Sequence, residues 1–373
     1  TRGHPWIFRS DVTKAPAAEA GVVLVADPNE RPLGWALWSP KSEISLRLLD
    51  RDVSSSIDAS WWRKRIAMAA NRRRPLEGVS SAYRVIHGEG DGCPSLICDR
   101  YDRWLVVQML SAGLDACRDH ILEALTAELS PDGILARNDP PVRSKEGLSR
   151  ETVLLAGDVP KEVEVSENGI RYLAAPWEGQ KTGAFLDQRE NRLVAAEIAR
   201  GRALDCFSYH GSFALHLARG AETVDALDAS AAALERGREN AARNGIENIT
   251  FIEADAFTWL RDAERQGSRY DTIVLDPPAF AKTKAALAGA IRGYNEINLR
   301  AMRLLTTGGL LLTASCSFHL TKPLFLDMLQ SAASDSGRRI AIRRLLGQPL
   351  DHPEILSIPE TGYIKGAVLE ALD

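Results

Sequence analysis

Tyr270-Asp271-Thr272-Ile273-Val274-Leu275-Asp276-Pro277-Pro278-Ala279-Phe280 is the stretch whose reading decides the fold of this chain. Residues 272–275 are a short run rich in β-branched side chains, the pattern of a strand buried on both faces. Asp276 puts a carboxylate at the carboxyl end of that strand. Pro277 and Pro278 end it and stiffen the turn. Open α/β sheets bind ligands at the carboxyl ends of their strands, so Asp276 is placed to hold a flat polar ring. The plainer alternative is a strand that ends in a surface turn.

Around this stretch, helix and strand patterns alternate from Gly183 onward. Helices are expected over residues 187–198, from 213, and from a Ser230 cap to about 244. Strands are expected over 203–207, 223–227, 250–253, 272–275 and 310–313. That is the βαβ signature of a doubly wound parallel sheet. Residues 340–346 and 363–369 are also strand-like, joined by a Pro-bearing loop, and predict an antiparallel C-terminal hairpin on one edge.

The N-terminal part reads differently. Up to about residue 52 it is β-rich, with strands expected over 21–26, 33–38 and 44–49 and a turn at Asp27-Pro28-Asn29-Glu30. Short strands without helices suggest a small barrel or sandwich. Ser54 to Asp58 cap a helix expected over 59–73, which Pro75 ends. A mixed unit follows over about 80–176, with strands at 83–86, 95–98, 105–110, 134–137 and 161–165 and a helix at 115–129. The glycines of His87-Gly88-Glu89-Gly90-Asp91-Gly92 permit a tight loop, but no P-loop ending accompanies them.

With 373 residues, 45% apolar and 26% charged, the chain has room for two or three domains and the composition of a globular protein. No apolar run approaches the roughly 20 residues of a membrane span, and no secretory signal pattern is visible. Five scattered cysteines without a C-x-x-C pair argue against a disulfide framework or zinc site, and for a reducing cytoplasm. Residues 1–80 hold 13 Lys/Arg and 9 Asp/Glu, although the whole chain has a net charge of −4. Trp61-Trp62-Arg63-Lys64-Arg65 and Arg72-Arg73-Arg74 carry the densest positive charge. They fit either a phosphate-binding surface with stacking aromatics or a solvated helix face with Trp62, Ile66 and Ala69 turned inward. The opening Gly3-His4-Pro5-Trp6-Ile7-Phe8 fits an edge strand or an RNA contact.

The turn after the first strand of the α/β part is Asp205-Cys206-Phe207-Ser208-Tyr209-His210-Gly211-Ser212. It is not G-x-G-x-x-G, so a pyrophosphate cradle is missing. The single glycine, Gly211, suits a nucleoside without phosphates. Asp228 closes the second strand, where an acid can accept from both ribose hydroxyls. Asp255 closes the third, near an adenine edge or as a helix cap. Together these features point to S-adenosylmethionine.

Four stretches then carry a resemblance: residues 181–192, Asp205 to Gly211, Asp276 to Lys282, and Ser315-Cys316-Ser317. With Gly3-His4-Pro5-Trp6 and His87 to Gly92, they make the chain resemble the large-subunit ribosomal RNA methyltransferase I family over nearly its whole length. The resemblance implies a PUA-like RNA-binding domain (1–58), a linker helix with an α+β EEHEE domain (59–176), and a class I, Rossmann-like methyltransferase domain (177–373). It implies S-adenosylmethionine held by Asp205, Phe207, Ser208, Gly211, Asp228, Asp255, Asp276 and Arg189, no metal, and ribosomal RNA as partner. It leaves a homodimer open. His210 and Ser212 depart from the threonine and second glycine usual in the family, and Ala314 from a cysteine found in many members.

These enzymes make 5-methylcytosine, and that chemistry needs a thiol. Carbon 5 of cytosine is a poor nucleophile until a thiolate adds at carbon 6. Cys316 lies just past the 310–313 strand and Asp276 ends the strand expected beside it, so the two could flank one flipped-out base, with Pro277, Pro278 and Phe280 shaping its slot. Taken alone, Cys316 also fits an inert buried thiol. Methylation of an exocyclic amine, or a non-catalytic RNA-binding role in assembly, are the competing functions.

Overall fold

The computed structural model describes residues 3–16, 19–281 and 283–373. In strand Tyr270–Leu275 every residue except Asp271 is buried. Ile273 and Leu275 join one apolar cluster with Leu204, Cys206 and Leu311. Val274 joins another with Ala203, Ala226 and Leu312. This alternation is that of a central strand covered on both faces.

Among the described residues the strand lies fourth in a seven-stranded sheet, ordered Ile249–Glu253, Thr223–Asp228, Arg202–Cys206, Tyr270–Leu275, Leu305–Ser315, Lys365–Ala371, Ile340–Leu346. The first five run parallel. Lys365–Ala371 is antiparallel to both of its neighbours. The two C-terminal strands are the expected antiparallel pair, with the last strand of the chain on the inside and Ile340–Leu346 at the edge. Strand order reverses between Arg202–Cys206 and Tyr270–Leu275, and it is outside the carboxyl ends of strands at such a point that open α/β sheets bind their ligands.

The chain divides into two compact units. The one just described comprises Ile170–Tyr172, Gln188–Pro349 and Tyr363–Asp373. The other comprises Thr1–Gly169, Leu173–Asp187 and Leu350–Gly362. This second unit holds an antiparallel sheet ordered Trp6–Ile7, Leu46–Asp50, Pro32–Trp38, Gly21–Ala26, and a five-stranded sheet ordered Ala82–His87, Leu96–Tyr101, Trp104–Met109, Gly133–Asn138, Glu151–Gly157. The last four of these strands flank helix Arg118–Leu129 in the β-β-α-β-β order. Strand Glu151–Gly157 lies outside the expected elements, because its sequence has no strong alternation. The helix expected over 115–129 is split, because Ser111 caps a separate turn, Ala112–Asp115, ahead of it. Leu37 and Leu49 of the first sheet share a core with Trp61, Trp62, Ile66, Leu105 and Leu114, which joins the β-rich part to the middle sheet.

Helix Ala59–Arg73 starts at Asp58, whose carboxylate accepts the Trp61 N–H. Trp62, Ile66 and Ala69 are buried, and several of the basic residues have carboxylate partners. Arg63 pairs with Glu128, and Arg65 with Asp50. Arg73 is buried and grips both oxygens of Asp91 at 2.6 Å, and Arg72 adds a bond to the same carboxylate at 2.6 Å. The positive charge left open on this helix is that of the exposed Lys64 and Arg74 and the outer edges of Arg63 and Arg72. The glycine-rich loop has a structural task as well. Gly88 and Gly92 adopt positive φ of 50° and 68°, and the turn carries Asp91 inward to meet Arg73.

Burial alone would raise the Asp91 carboxyl, but the two arginines hold it below its ordinary value. Its stabilisation is therefore present above the ordinary carboxylate range and lost as pH falls through its lowered value. Asp91→Ala would strand the Arg73 guanidinium in the interior. Urea denaturation should show a loss of about 3–5 kcal/mol.

Candidate active site

The candidate site is built from the carboxyl ends of the strands upward. Asp205, in strand Arg202–Cys206, is fully buried. Its Oδ2 accepts from the Ser208 hydroxyl at 2.7 Å and the Ala214 N–H at 2.9 Å. Its Oδ1 is buried without a hydrogen-bond partner, so a donor supplied by a ligand would satisfy it. Burial pushes this carboxyl up to about 7, against the lowering effect of Ser208 and Ala214; the charges of Asp276 and Asp228 add to the rise.

The turn that follows is tightly wound. Phe207, Tyr209 and Gly211 have φ of 66°, 50° and 78°. Positive φ is rare for bulky side chains, so the turn holds two non-glycine residues in the left-handed region next to the candidate site. Gly211 leads into helix Ser212–Leu217. Asp228 closes the next strand and pins this turn: its Oδ2 accepts the Tyr209 N–H at 2.9 Å and its Oδ1 the Ser230 N–H at 2.9 Å. Each carboxylate oxygen keeps a second lone pair for a ligand hydroxyl. Asp255 is exposed and caps helix Ala256–Arg265 through Thr258 N–H at 2.9 Å, the cap reading of this residue. His210 stacks on Tyr209 with ring centroids 3.6 Å apart, and burial pushes its imidazole down to about 4.

Asp276 stands half-buried at the tip of the central strand. Its Oδ1 accepts the Gln188 amide at 2.7 Å, and the Gln188 oxygen in turn accepts the Asn191 amide at 2.6 Å. With its oxygen so engaged, Gln188 can present only its NH2 to Asp276. Gln188 lies in the quoted 181–192 stretch, but its partner is 88 residues away, and no local pattern names it. Arg189, at the start of helix Arg189–Ile198, is buried. Pro277 is buried and Pro278 exposed. Phe280 packs 4.6 Å from the Tyr294 ring and 5.9 Å from Phe257, so it is part of an aromatic wall. Lys282 lies outside the described residues.

Leu275 pairs with Thr313 in the neighbouring strand. Asp276 and the Ser315-Cys316-Ser317 stretch therefore leave adjacent strands at the same end of the sheet. Cys316 is partly exposed, and the other four cysteines are buried. Burial pushes the thiols of Cys93 and Cys117 up to about 12 and about 11, and that of Cys206 well above its ordinary value. Among the described residues no cluster of His, Cys, Asp and Glu is placed to hold a metal ion, and no helix is long and apolar enough to cross a membrane.

Comparison with known proteins matches residues 144–359 to the S-adenosylmethionine-dependent methyltransferase family and residues 1–51 to a PUA-like domain. A ribosomal RNA large subunit methyltransferase I from Pseudoalteromonas atlantica is 40% identical over 100% of this chain and 96% of its own length. One from Shewanella denitrificans is 40% identical over 98% and 95%. A solved Streptococcus mutans structure described as a SAM-dependent methyltransferase superposes with a TM-score of 0.83 at 20% identity, covering 99% of this chain and 96% of that one; that likeness shows the fold. The sheet order, the phosphate-free turn and the family match define a Rossmann-like enzyme that uses S-adenosylmethionine. The chain belongs to the ribosomal RNA large subunit methyltransferase I family. The homodimer finds no support in these comparisons.

The raised Asp205 carboxyl sets a pH dependence. A folded-state value above the ordinary 3.8 means stability that is fully present below about pH 4 and lost as pH rises through about 7. Asp205→Asn removes that dependence while keeping an acceptor for Ser208 and Ala214. Urea denaturation at pH 5 and pH 8 should show the wild type losing a few kcal/mol relative to the variant.

Proposed function

We propose that this protein methylates carbon 5 of a cytosine in large-subunit (23S) ribosomal RNA through a transient covalent bond from Cys316. The observation that carries the reading is the position of Cys316: the one partly exposed thiol among the described residues, leaving the sheet beside Asp276. The names of the curated relatives support ribosomal RNA as the substrate. We also propose the division into an RNA-binding part (1–58), a middle part (59–176) and a catalytic part (177–373), acting in the cytoplasm.

In this reading the Cys316 thiolate adds to carbon 6 of a flipped-out base, and the ring electrons move to carbon 5. Asp276 hydrogen-bonds the protonated ring nitrogen and balances the charge that develops. Gln188, fixed by Asn191, holds the other side of that carboxylate. Carbon 5 takes the methyl group from the sulfonium of S-adenosylmethionine, leaving S-adenosylhomocysteine. A water molecule then takes the carbon-5 proton, the C–H electrons re-form the 5,6 double bond, and the carbon-6–sulfur bond breaks to release the Cys316 thiolate. Pro277, Pro278 and Phe280 shape the slot. Asp205, Phe207, Ser208, Gly211, Asp228, Asp255 and Arg189 serve the cofactor. Asp205 Oδ1 is the buried acceptor suited to its ammonium group, and Asp228 faces its ribose.

Asp228→Ala should weaken S-adenosylmethionine binding at least several-fold by calorimetry, with the fold retained. Cys316→Ala should abolish methylation without changing cofactor affinity, and Cys206→Ala should lose far less. RNA carrying 5-fluorocytosine at the target should trap the wild-type protein as a denaturant-resistant adduct, because fluorine cannot leave as a proton does. Nucleoside mass analysis should find 5-methylcytosine. An amine-methylated product, or turnover by Cys316→Ala, would replace the covalent reading with amine methylation.

A further inference from the structure

Ser315 and Ser317 are fully buried, while Cys316 between them is partly exposed. At the end of a strand, successive side chains point to opposite sides, so holding both serines inward turns the thiol outward. One side chain holds them. Tyr294, in helix Leu287–Leu304, is fully buried. Its hydroxyl lies 2.9 Å from Ser317 Oγ, with the Ser315 hydroxyl nearby. Ser315 Oγ also accepts the Ser317 N–H at 3.2 Å.

The same phenol reaches the loop of Asp276. It accepts the Phe280 N–H at 3.4 Å and donates toward the Pro278 carbonyl at 3.4 Å. Ser317 Oγ accepts the Ala281 N–H at 3.1 Å. Behind the pair, the buried Lys365 ammonium donates to the Ser317 carbonyl at 2.6 Å and the Tyr363 carbonyl at 2.8 Å. A buried hydroxyl with no role would be costly to keep, and a phenylalanine would fill the same space against Phe280. The hydroxyl instead ties together the two loops that carry the thiol and the carboxylate.

We propose that Tyr294 is a positioning residue: with Ser315 and Ser317 it clamps the loop after strand Leu305–Ser315, so that Cys316 faces the base slot at a set distance from Asp276. The proposal rests on the reading of Cys316 as the nucleophile. A displacement of about 1 Å between reacting groups can cost on the order of 100-fold in rate, so a clamp that touches no substrate can still govern the rate.

The test uses Tyr294→Phe, Ser317→Ala and their double variant in the full chain. Each single variant should lose about tenfold or more in kcat, with the KM for RNA and the affinity for S-adenosylmethionine nearly unchanged. The double variant should lose less than the product of the two single losses, because both remove the Tyr294–Ser317 bond. Alkylation of Cys316 by iodoacetamide, followed by intact mass, should change in rate in both variants, since the other cysteines are buried. Wild-type kcat in both single variants overturns the proposal, as does loss of cofactor affinity in step with kcat, which would mark general loosening. If Cys316→Ala turns over normally, the covalent reading fails. The alkylation rate in Tyr294→Phe then still decides whether the clamp exists.

Discussion

A strand covered by apolar groups on both faces has room for polar chemistry only at its ends. Tyr270–Leu275 is such a strand, and the catalytic unit follows from that constraint. Its neighbours Arg202–Cys206 and Leu305–Ser315 run parallel to it, so the same ends of all three face the candidate site. Asp276 and Cys316 emerge there, while Asp205, one residue inside the sheet, stays buried and pushed up to about 7. Proline at the exit keeps the central strand from continuing, and the turn delivers Phe280 to the aromatic wall.

Buried charge in the other unit serves a different end. The arginines of helix Ala59–Arg73 suggested a phosphate-binding face, yet Arg73 is spent on Asp91 and also donates to the Asp351 carbonyl at 2.8 Å. Asp351 further accepts the Arg84 N–H at 2.8 Å. These bonds fix segment Leu350–Gly362 to the sheet within its own unit. A buried pair of this kind is weak evidence for net stability, yet neither partner can be removed alone without leaving an uncompensated buried charge. The basic run therefore contributes to folding first, with Lys64 and Arg74 left for solvent or a ligand.

Much of the catalytic unit was legible because its signals are local. The β-branched run before Asp276, the single-glycine turn at Gly211 and the cap at Ser230 each report on a few adjacent residues. The observed helix Ala231–Arg243 and strand Ile340–Leu346 match the expected ranges closely for that reason. Edge strand Glu151–Gly157 has little alternation in its sequence, so no local signal marks it. The resemblance supplied what periodicity does not, namely the family and the residues its motifs align.

By itself the sequence determined that a doubly wound sheet with an antiparallel edge would carry acids at its strand tips, and that the turn at Gly211 would suit a nucleoside without phosphates. Those properties follow from period, punctuation and residue type, which neighbouring residues set. Only the tertiary structure decided that Cys316 alone of five thiols would reach the surface, that Gln188 would grip Asp276, that Arg73 would be buried on Asp91, and that Tyr294 would join two loops. Each of these depends on burial and on hydrogen bonds between residues distant in the chain. Their partners are chosen by packing, and the spacing along the sequence does not encode the choice.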